Sequence, residues 1–315
     1  MDKVALLFSG QGAQFVGMGK ELFESSEPAR KVFEKADHIL GLKLSEVCFN
    51  GPEIALTETA WCQPAIFVHG MAALAFLQAA RPGFQFQAAA GLSLGEFTAL
   101  TAAGWMSFED GLRIVRRRGE LMQQACEKTR GAMASIMGME ANLLRPICEE
   151  TGVDLANLNC PGQIVISGEK TGIERAIALA KEKGAKRAIP LMVAGAYHSR
   201  LMKSAAEQLA VELSTLTIQS PSSAGDGFST IPVISNVTSL PHEPASVKQR
   251  LVDQMISSVH WEKSMRHLLS LGIQRFVELG PGEVLAGLMK RIDREAQVVS
   301  LGKTGDLEKP VANQL

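Results

Sequence analysis

Apolar residues recur along this chain in two alternating rhythms, strand-like runs and helical spacing, and that alternation predicts an α/β protein. Val4-Ala5-Leu6-Leu7-Phe8 is a short continuous apolar run that stops at Ser9-Gly10-Gln11-Gly12. It has the pattern of a strand buried on both faces of a parallel sheet and feeding a glycine-rich loop. Helical spacing follows over residues 27–40 and 65–80, then a small-residue strand at 86–90 leads into Gly91-Leu92-Ser93-Leu94-Gly95. A short helix closing at Gly104 and a longer one from Phe108 to about Cys126 come next.

Residues 131–193 keep a different rhythm. Strand 132–139, helix 142–150, strands 155–158 and 163–167, helix 172–183 and strand 187–193 give the order βαββαβ, a ferredoxin-like unit. The outer pattern then resumes with a helix at 204–214, a strand at 233–235, helices at 246–255 and 262–271, a strand at 274–279 and a final helix at 283–292 after Gly280-Pro281-Gly282. The expected organisation is a large α/β domain built on a central parallel sheet from residues 1–128 and 196–315, with a small subdomain, 129–195, inserted into it. Polar stretches at 220–230 and 303–315 read as a surface loop and a tail.

The length of 315 residues, with 46% hydrophobic and 21% charged, suits about two domains rather than a disordered chain. Thirty-two Lys and Arg against 33 Asp and Glu leave a net charge of -1, so no global field draws the protein to nucleic acid or anionic lipid. Five scattered cysteines without a C-x-x-C pair point to a reducing, cytoplasmic setting, and no ligand-spaced His/Cys cluster implies a metal. The N-terminus does not resemble a secretory signal. The longest charge-free stretch, 59–80, holds Gln63, Pro64, His69 and Gln78, and is expected to be a buried helix rather than a membrane span.

Chemistry concentrates first at Ser93, in a G-x-S-x-G turn between strand and helix. Such an elbow pushes the serine oxygen clear of the sheet and aims the next amide, that of Leu94, at a developing oxyanion. The same spacing also serves an ordinary tight turn. A serine needs a base, and six histidines are available. His38 and His267 lie in polar helical patterns, His69 on an apolar helix as a core group, and His242 in a Pro-rich loop. His198, where a strand gives way to a helix, is the favoured base, with His260 at another helix entry kept as the alternative.

Arg118 is the most informative single residue. At about 100° per residue it falls in the middle of the apolar arc of Ile114, Val115, Leu121, Met122 and Ala125, while Arg113, Arg116 and Arg117 point elsewhere. A buried guanidinium needs an anion, either an internal carboxylate or the carboxylate of a substrate. The loop Gly10-Gln11-Gly12-Ala13-Gln14 lacks the third glycine of a dinucleotide site and the Lys-Ser/Thr of a phosphate loop. It reads as a tight turn, or as a second backbone donor, at Gln11, facing the serine.

Taken together, Phe8 to Gln14, Gly91 to Leu100, Arg118-Gly119, Asn159 to Gln163, Gly195 to Met202, Ser235 to Thr238, Val259-His260-Trp261 and Glu278 to Gly282 resemble the malonyl-CoA:acyl carrier protein transacylase family, acyltransferases of type II fatty acid synthesis and related polyketide synthase domains. The resemblance implies an α/β-hydrolase-like large domain with the ferredoxin-like insert. It implies Ser93 as nucleophile, His198 as base held by the backbone carbonyl of Gln254, Arg118 as the clamp on a malonyl carboxylate, and the amides of Gln11 and Leu94 as oxyanion hole. Malonyl-CoA and acyl carrier protein are the implied partners, with phosphopantetheine arriving on the carrier, no cofactor or metal of the chain's own, and a monomer as the default. The carrier's acidity calls for a basic rim, for which Lys181, Lys183, Lys186 and Arg187 are candidates, although a solvated helix face explains them equally.

Two positions depart from the family pattern: Leu92 stands where many members have histidine, and Tyr197 where phenylalanine is usual. The Tyr197 hydroxyl bears on the fit of an α-substituent, so a polyketide acyltransferase with methylmalonyl preference stays open. A serine hydrolase or thioesterase sharing the same elbow and base, and a non-catalytic scaffold binding CoA or a carrier protein, are the other readings.

Overall fold

The five apolar residues of β1 (Val4–Phe8) are all buried because strands pair with both of its edges and side chains cover both of its faces. The computed structural model describes residues 3–219 and 231–308. Within them β2 (Ala88–Gly91), β3 (Gly131–Met137), β4 (Asp154–Cys160), β5 (Gln163–Glu169), β6 (Arg187–Pro190), β7 (Arg275–Leu279) and β8 (Gln297–Leu301) complete the strands. One sheet has the order β2-β1-β7-β8 with every pair parallel, and the register sets Phe8 beside both Gly91 and Leu279. All four strands therefore release their chains at the same end of the sheet, where parallel α/β sheets gather their functional loops.

Alternation along β1 divides the large domain's interior in two. Val4, Leu6 and Phe8 belong to the core shared with the helix Thr59–Ala80, whereas Ala5 and Leu7 pack with Trp261, Met265 and Leu268 of Trp261–Ser270 and with Leu285 and Met289 of Val284–Ile292. Thr59–Ala80 is the one described helix long and apolar enough to cross a membrane, and most of it is buried inside the fold, Gln63, Pro64 and His69 included. A third core, of Ile136, Leu144, Ile147, Ile166 and Ile173, belongs to the small sheet. That sheet is antiparallel in the order β4-β5-β3-β6, with Ala141–Thr151 and Lys170–Glu182 as its helices, the ferredoxin-like arrangement.

Several elements differ from expectation. Residues 233–235 form only isolated bridges, from Val233 to Ala89 and from Ile234 to Pro241, because the chain touches β2 and then turns away into Asn236. β6 ends at Pro190, short of residue 193. The short helices Lys20–Ser25, Leu44–Asn50 and Glu53–Thr57 and the edge strand β8 were not anticipated; β8 has only Val298, Val299 and Leu301 as a signal beside Gln297 and Ser300. The expected polar tail begins instead with the turn Thr304–Glu308, whose Asp306 is buried and accepts from the amides of Gly302 and Lys303. The remainder of that tail and the loop at 220–230 lie outside the described residues.

Candidate active site

No Cβ fits at either glycine of the elbow around Ser93. One added at Gly91 would lie 1.9 Å from the carbonyl carbon of Gly95, and one at Gly95 would lie 2.1 Å from the Phe8 carbonyl oxygen. The G-x-S-x-G spacing is thus a packing requirement of β1, β2 and the helix Leu94–Ala102 meeting at close range. Ser93 itself has φ 53°, a left-handed conformation that costs a β-carbon residue roughly 1–3 kcal/mol. Surrounding hydrogen bonds fix it there. Its amide donates to Asn236 Oδ1 at 2.7 Å, Asn236 Nδ2 donates to the Gly91 carbonyl at 2.8 Å, and Gln254 Nε2 donates to the Ser93 carbonyl at 2.9 Å.

His198, with φ 56°, is another left-handed residue, and its Nε2 lies 2.8 Å from Ser93 Oγ. Its Nδ1 lies 2.8 Å from the backbone carbonyl oxygen of Gln254. A carbonyl oxygen can only accept, so Nδ1 carries the proton and Nε2 turns its lone pair to the hydroxyl, the tautomer a general base needs. Burial, and then the nearby Arg118 charge, pull the imidazole from 6.5 down to about 4, against the Gln254 carbonyl, which favours the charged form. It is therefore neutral and ready to accept a proton at neutral pH. His260, the alternative base, is only half-buried, and its amide is spent on the Asn236 carbonyl at 2.9 Å.

Arg118 lies on Phe108–Lys128, which starts at Ser107, whose Oγ accepts from the Asp110 amide at 3.0 Å. Ile114, Val115, Leu121, Met122 and Ala125 are buried with it, as the helical arc predicts. Arg113 is exposed, and Arg116 and Arg117 pair with Glu120 and Glu212. The Arg118 guanidinium is fully buried over the Phe97 ring and meets only neutral oxygens: Nη1 donates to Gln63 Oε1 at 2.7 Å, and Nη2 to Gln254 Oε1 at 2.9 Å and to Ser93 Oγ at 3.0 Å. Among the described residues no carboxylate pairs with it, and its Nε has no partner. Burial lowers its pKa to about 10, which the Glu96 charge opposes, so it stays cationic.

Ser93 and His198 open on a cavity of about 670 Å³, within the usual range for a small-molecule site. Its walls come from the loop after β1, including Gln11, from Met133, Ser135, Asn157 and Val165 of the small sheet, and from Tyr197. The small subdomain thus supplies one side of the cleft and the large domain the reactive groups. Among the described residues the Gln11 and Leu94 amides donate to no protein oxygen, which leaves both available to a bound oxyanion. Tyr197 OH lies 2.7 Å from Thr59 Oγ1 and accepts from Gln11 Nε2 at 3.4 Å, so the hydroxyl is tied to the first loop. Leu92 packs half-buried against the second core, a contact that an imidazole there would not make as favourably. Lys186 and Arg187 line a separate cavity of about 490 Å³ with Arg291 and Glu140, while Lys181 and Lys183 stand exposed at the end of Lys170–Glu182.

Sequence reasoning missed Gln63, the side chain of Gln254, and a buried acid, Glu96, whose Oε1 lies 2.6 Å from Nε2 of His242. His242 lies in a Pro-rich loop, as the sequence indicates, and is buried there. Glu96 carried a signal of its own, as the one charged residue on the helix Leu94–Ala102. His69 is buried as expected, but its Nδ1 has no hydrogen-bond partner among the described residues, and burial lowers its pKa to about 4.

Neutral burial of His69 and His198 ties stability to pH. Between 6.5 and about 4 the unfolded chain binds protons that the folded one does not, so stability present above 6.5 is lost as pH falls through that window. Urea unfolding at pH 7 and pH 5 should show a loss of about 2 kcal/mol for each of the two histidines. A His69→Gln variant should lose correspondingly less, and an equal loss in variant and wild type would show that His69 does not contribute.

Residues 5–308 match the family model for the acyl transferase domain. The malonyl CoA-acyl carrier protein transacylase of Bacillus subtilis (strain 168) is 45% identical over 314 residues, covering 98% of this chain and 96% of its own. The structure of the malonyl CoA-acyl carrier protein transacylase from Coxiella burnetii superposes with a TM-score of 0.92 at 35% identity over 98% of this chain and 96% of its own. A malonyl-transacylase solved in complex with a type II PKS acyl-carrier protein superposes with a TM-score of 0.92 at 34% identity, covering 99% of this chain and 100% of its own.

Proposed function

This chain belongs to the acyl transferase domain family, and from that premise and the geometry of its site we infer a malonyltransferase, moving a malonyl group from malonyl-CoA to the phosphopantetheine thiol of an acyl carrier protein. The observation that carries this reading is the buried Arg118 guanidinium, 3.0 Å from the nucleophile and paired with no carboxylate among the described residues. A hydrolase has no need of such a group. A malonyl carboxylate, one methylene from the reacting carbonyl, supplies the missing anion. An acetyl chain leaves the guanidinium with neutral partners, at a cost on the order of 3–5 kcal/mol relative to a paired charge.

The cycle is ping-pong. Ser93 Oγ attacks the thioester carbonyl while His198 Nε2 takes its proton, and the Gln11 and Leu94 amides receive the oxyanion. Collapse expels the CoA sulfur, which leaves with the proton from His198. The neutral imidazole then takes the proton of the carrier's thiol, that sulfur attacks the malonyl-serine, and Ser93 departs reprotonated by His198. The reading requires no resident cofactor or metal, because every proton moves through one imidazole and the acyl group passes between oxygen and sulfur. We take the monomer as the working state and the cytoplasm as the compartment, a setting that suits five buried cysteines with free thiols.

Radiolabelled malonyl-CoA, with and without a phosphopantetheinylated carrier protein, tests the reading. Label on the carrier is the expected result. Release of free malonate at the same rate with or without carrier would instead mark a hydrolase, and the lack of any covalent adduct would mark a binding scaffold.

A further inference from the structure

Behind the reactive groups lies a buried cluster that the transfer cycle does not use. Glu96, on Leu94–Ala102, and His242 both have side chains with no exposed surface. Three donors converge on the Glu96 carboxylate: His242 Nε2 at 2.6 Å on Oε1, with Gln254 Nε2 at 2.5 Å and the Asn236 amide at 3.2 Å on Oε2. Two of these three donors belong to residues that hold the reacting groups. Asn236 Oδ1 accepts from the Ser93 amide, and Gln254 Oε1 accepts from Arg118 Nη2.

Gln254 is the link. Its side-chain amide lies between a guanidinium, which can only donate, and a carboxylate, which only accepts. Glu96, together with the Ser93 carbonyl that accepts from the same Nε2 at 2.9 Å, draws the NH₂ to that side and thereby turns Oε1 toward Arg118. With the amide reversed, NH₂ would face the guanidinium and push it away from Ser93. We propose that Glu96, backed by His242, is a positioning residue that sets the orientation of the Gln254 amide and so keeps Arg118 where it receives an acyl carboxylate. This rests on the malonyl-transfer reading and deepens it: selectivity for an anionic acyl group depends on a carboxylate that never touches substrate.

Charge and position act in opposite directions, which makes the proposal testable. Deleting the Glu96 charge alone would strengthen the pull of Arg118 on an anion. Releasing the amide would weaken it by moving the guanidinium. Glu96→Gln leaves one acceptor oxygen for three donors, and kcat/KM for loading malonyl and acetyl from their CoA thioesters onto Ser93 should be measured side by side by intact-protein mass spectrometry. The malonyl-to-acetyl ratio should fall about tenfold or more, with acetyl loading changed less than about threefold. If Glu96→Gln yields no folded protein, His242→Phe removes the far donor without touching Gln254 or Ser93 and should lower the ratio by about threefold. A ratio that rises or stays constant, or an equal fall for both substrates, overturns the proposal. Wild type measured alongside separates the two claims. If it loads malonyl while the variants keep its ratio, only the role of Glu96 fails; if it forms no malonyl adduct, the transfer reading fails and this proposal with it.

Discussion

Ser93→Ala is expected to take no covalent malonyl from malonyl-CoA and to transfer none to a carrier, a loss of about 10⁴-fold or more. The size of the effect follows from the geometry. Ser93 Oγ receives the Arg118 Nη2 donor at 3.0 Å and offers its own proton to His198 Nε2 at 2.8 Å, so one oxygen is both oriented and activated. Among the described residues no other hydroxyl is hydrogen-bonded to the His198 ring. His198→Ala should cost nearly as much, because nucleophile and base act as a unit and their losses do not add. Intact-mass measurement after mixing with malonyl-CoA checks both variants. An adduct that persists in Ser93→Ala would move the nucleophile elsewhere.

Arg118→Ala should separate the two kinds of acyl group. Malonyl loading is expected to fall by about 150- to 5,000-fold, the equivalent of a desolvated ion pair worth on the order of 3–5 kcal/mol. Acetyl loading should fall by less than about tenfold, from repacking around the vacated guanidinium and from loss of the Arg118 bond to Ser93 Oγ. The measured quantity is the ratio of kcat/KM for the two thioesters. Equal losses would reduce Arg118 to a support for the serine. Arg118→Lys should recover only part of the malonyl rate, since one ammonium cannot reach Gln63, Gln254 and a carboxylate in the geometry of a planar fork.

Much of this was legible before any coordinates because local chemistry constrains local sequence. Five consecutive apolar residues mark β1 as a strand covered on both faces, and the two glycines flanking Ser93 are explained by backbone contacts that admit no Cβ. Arg118 could be singled out because helical periodicity assigns a residue to a face. Periodicity does not say what stands opposite. Gln63 is 55 positions from Arg118 and Gln254 is 136 away, and nothing in either segment announces the meeting. The choice between His198 and His260 was open for the same reason, until distance to Ser93 decided it. His242 was assigned to a loop because prolines surround it, yet that loop folds inward so that its imidazole meets Glu96, 146 positions distant. β8 escaped notice because an edge strand of five residues, its apolar positions Val298, Val299 and Leu301 broken by Ser300, leaves almost no pattern, and its place is fixed by pairing with β7.

The central claim is that a buried cation takes the carboxylate of an acyl chain while the adjoining hydroxyl carries its carbonyl. A crystal structure of the malonyl-loaded enzyme tests this most directly. The account predicts an ester on Ser93 Oγ whose distal carboxylate is bound by both terminal nitrogens of Arg118, in place of the present Nη2 bond to Ser93. A malonyl-serine whose carboxylate lies in the open cleft, with Arg118 still bonded to Gln63 and Gln254 alone, would contradict it.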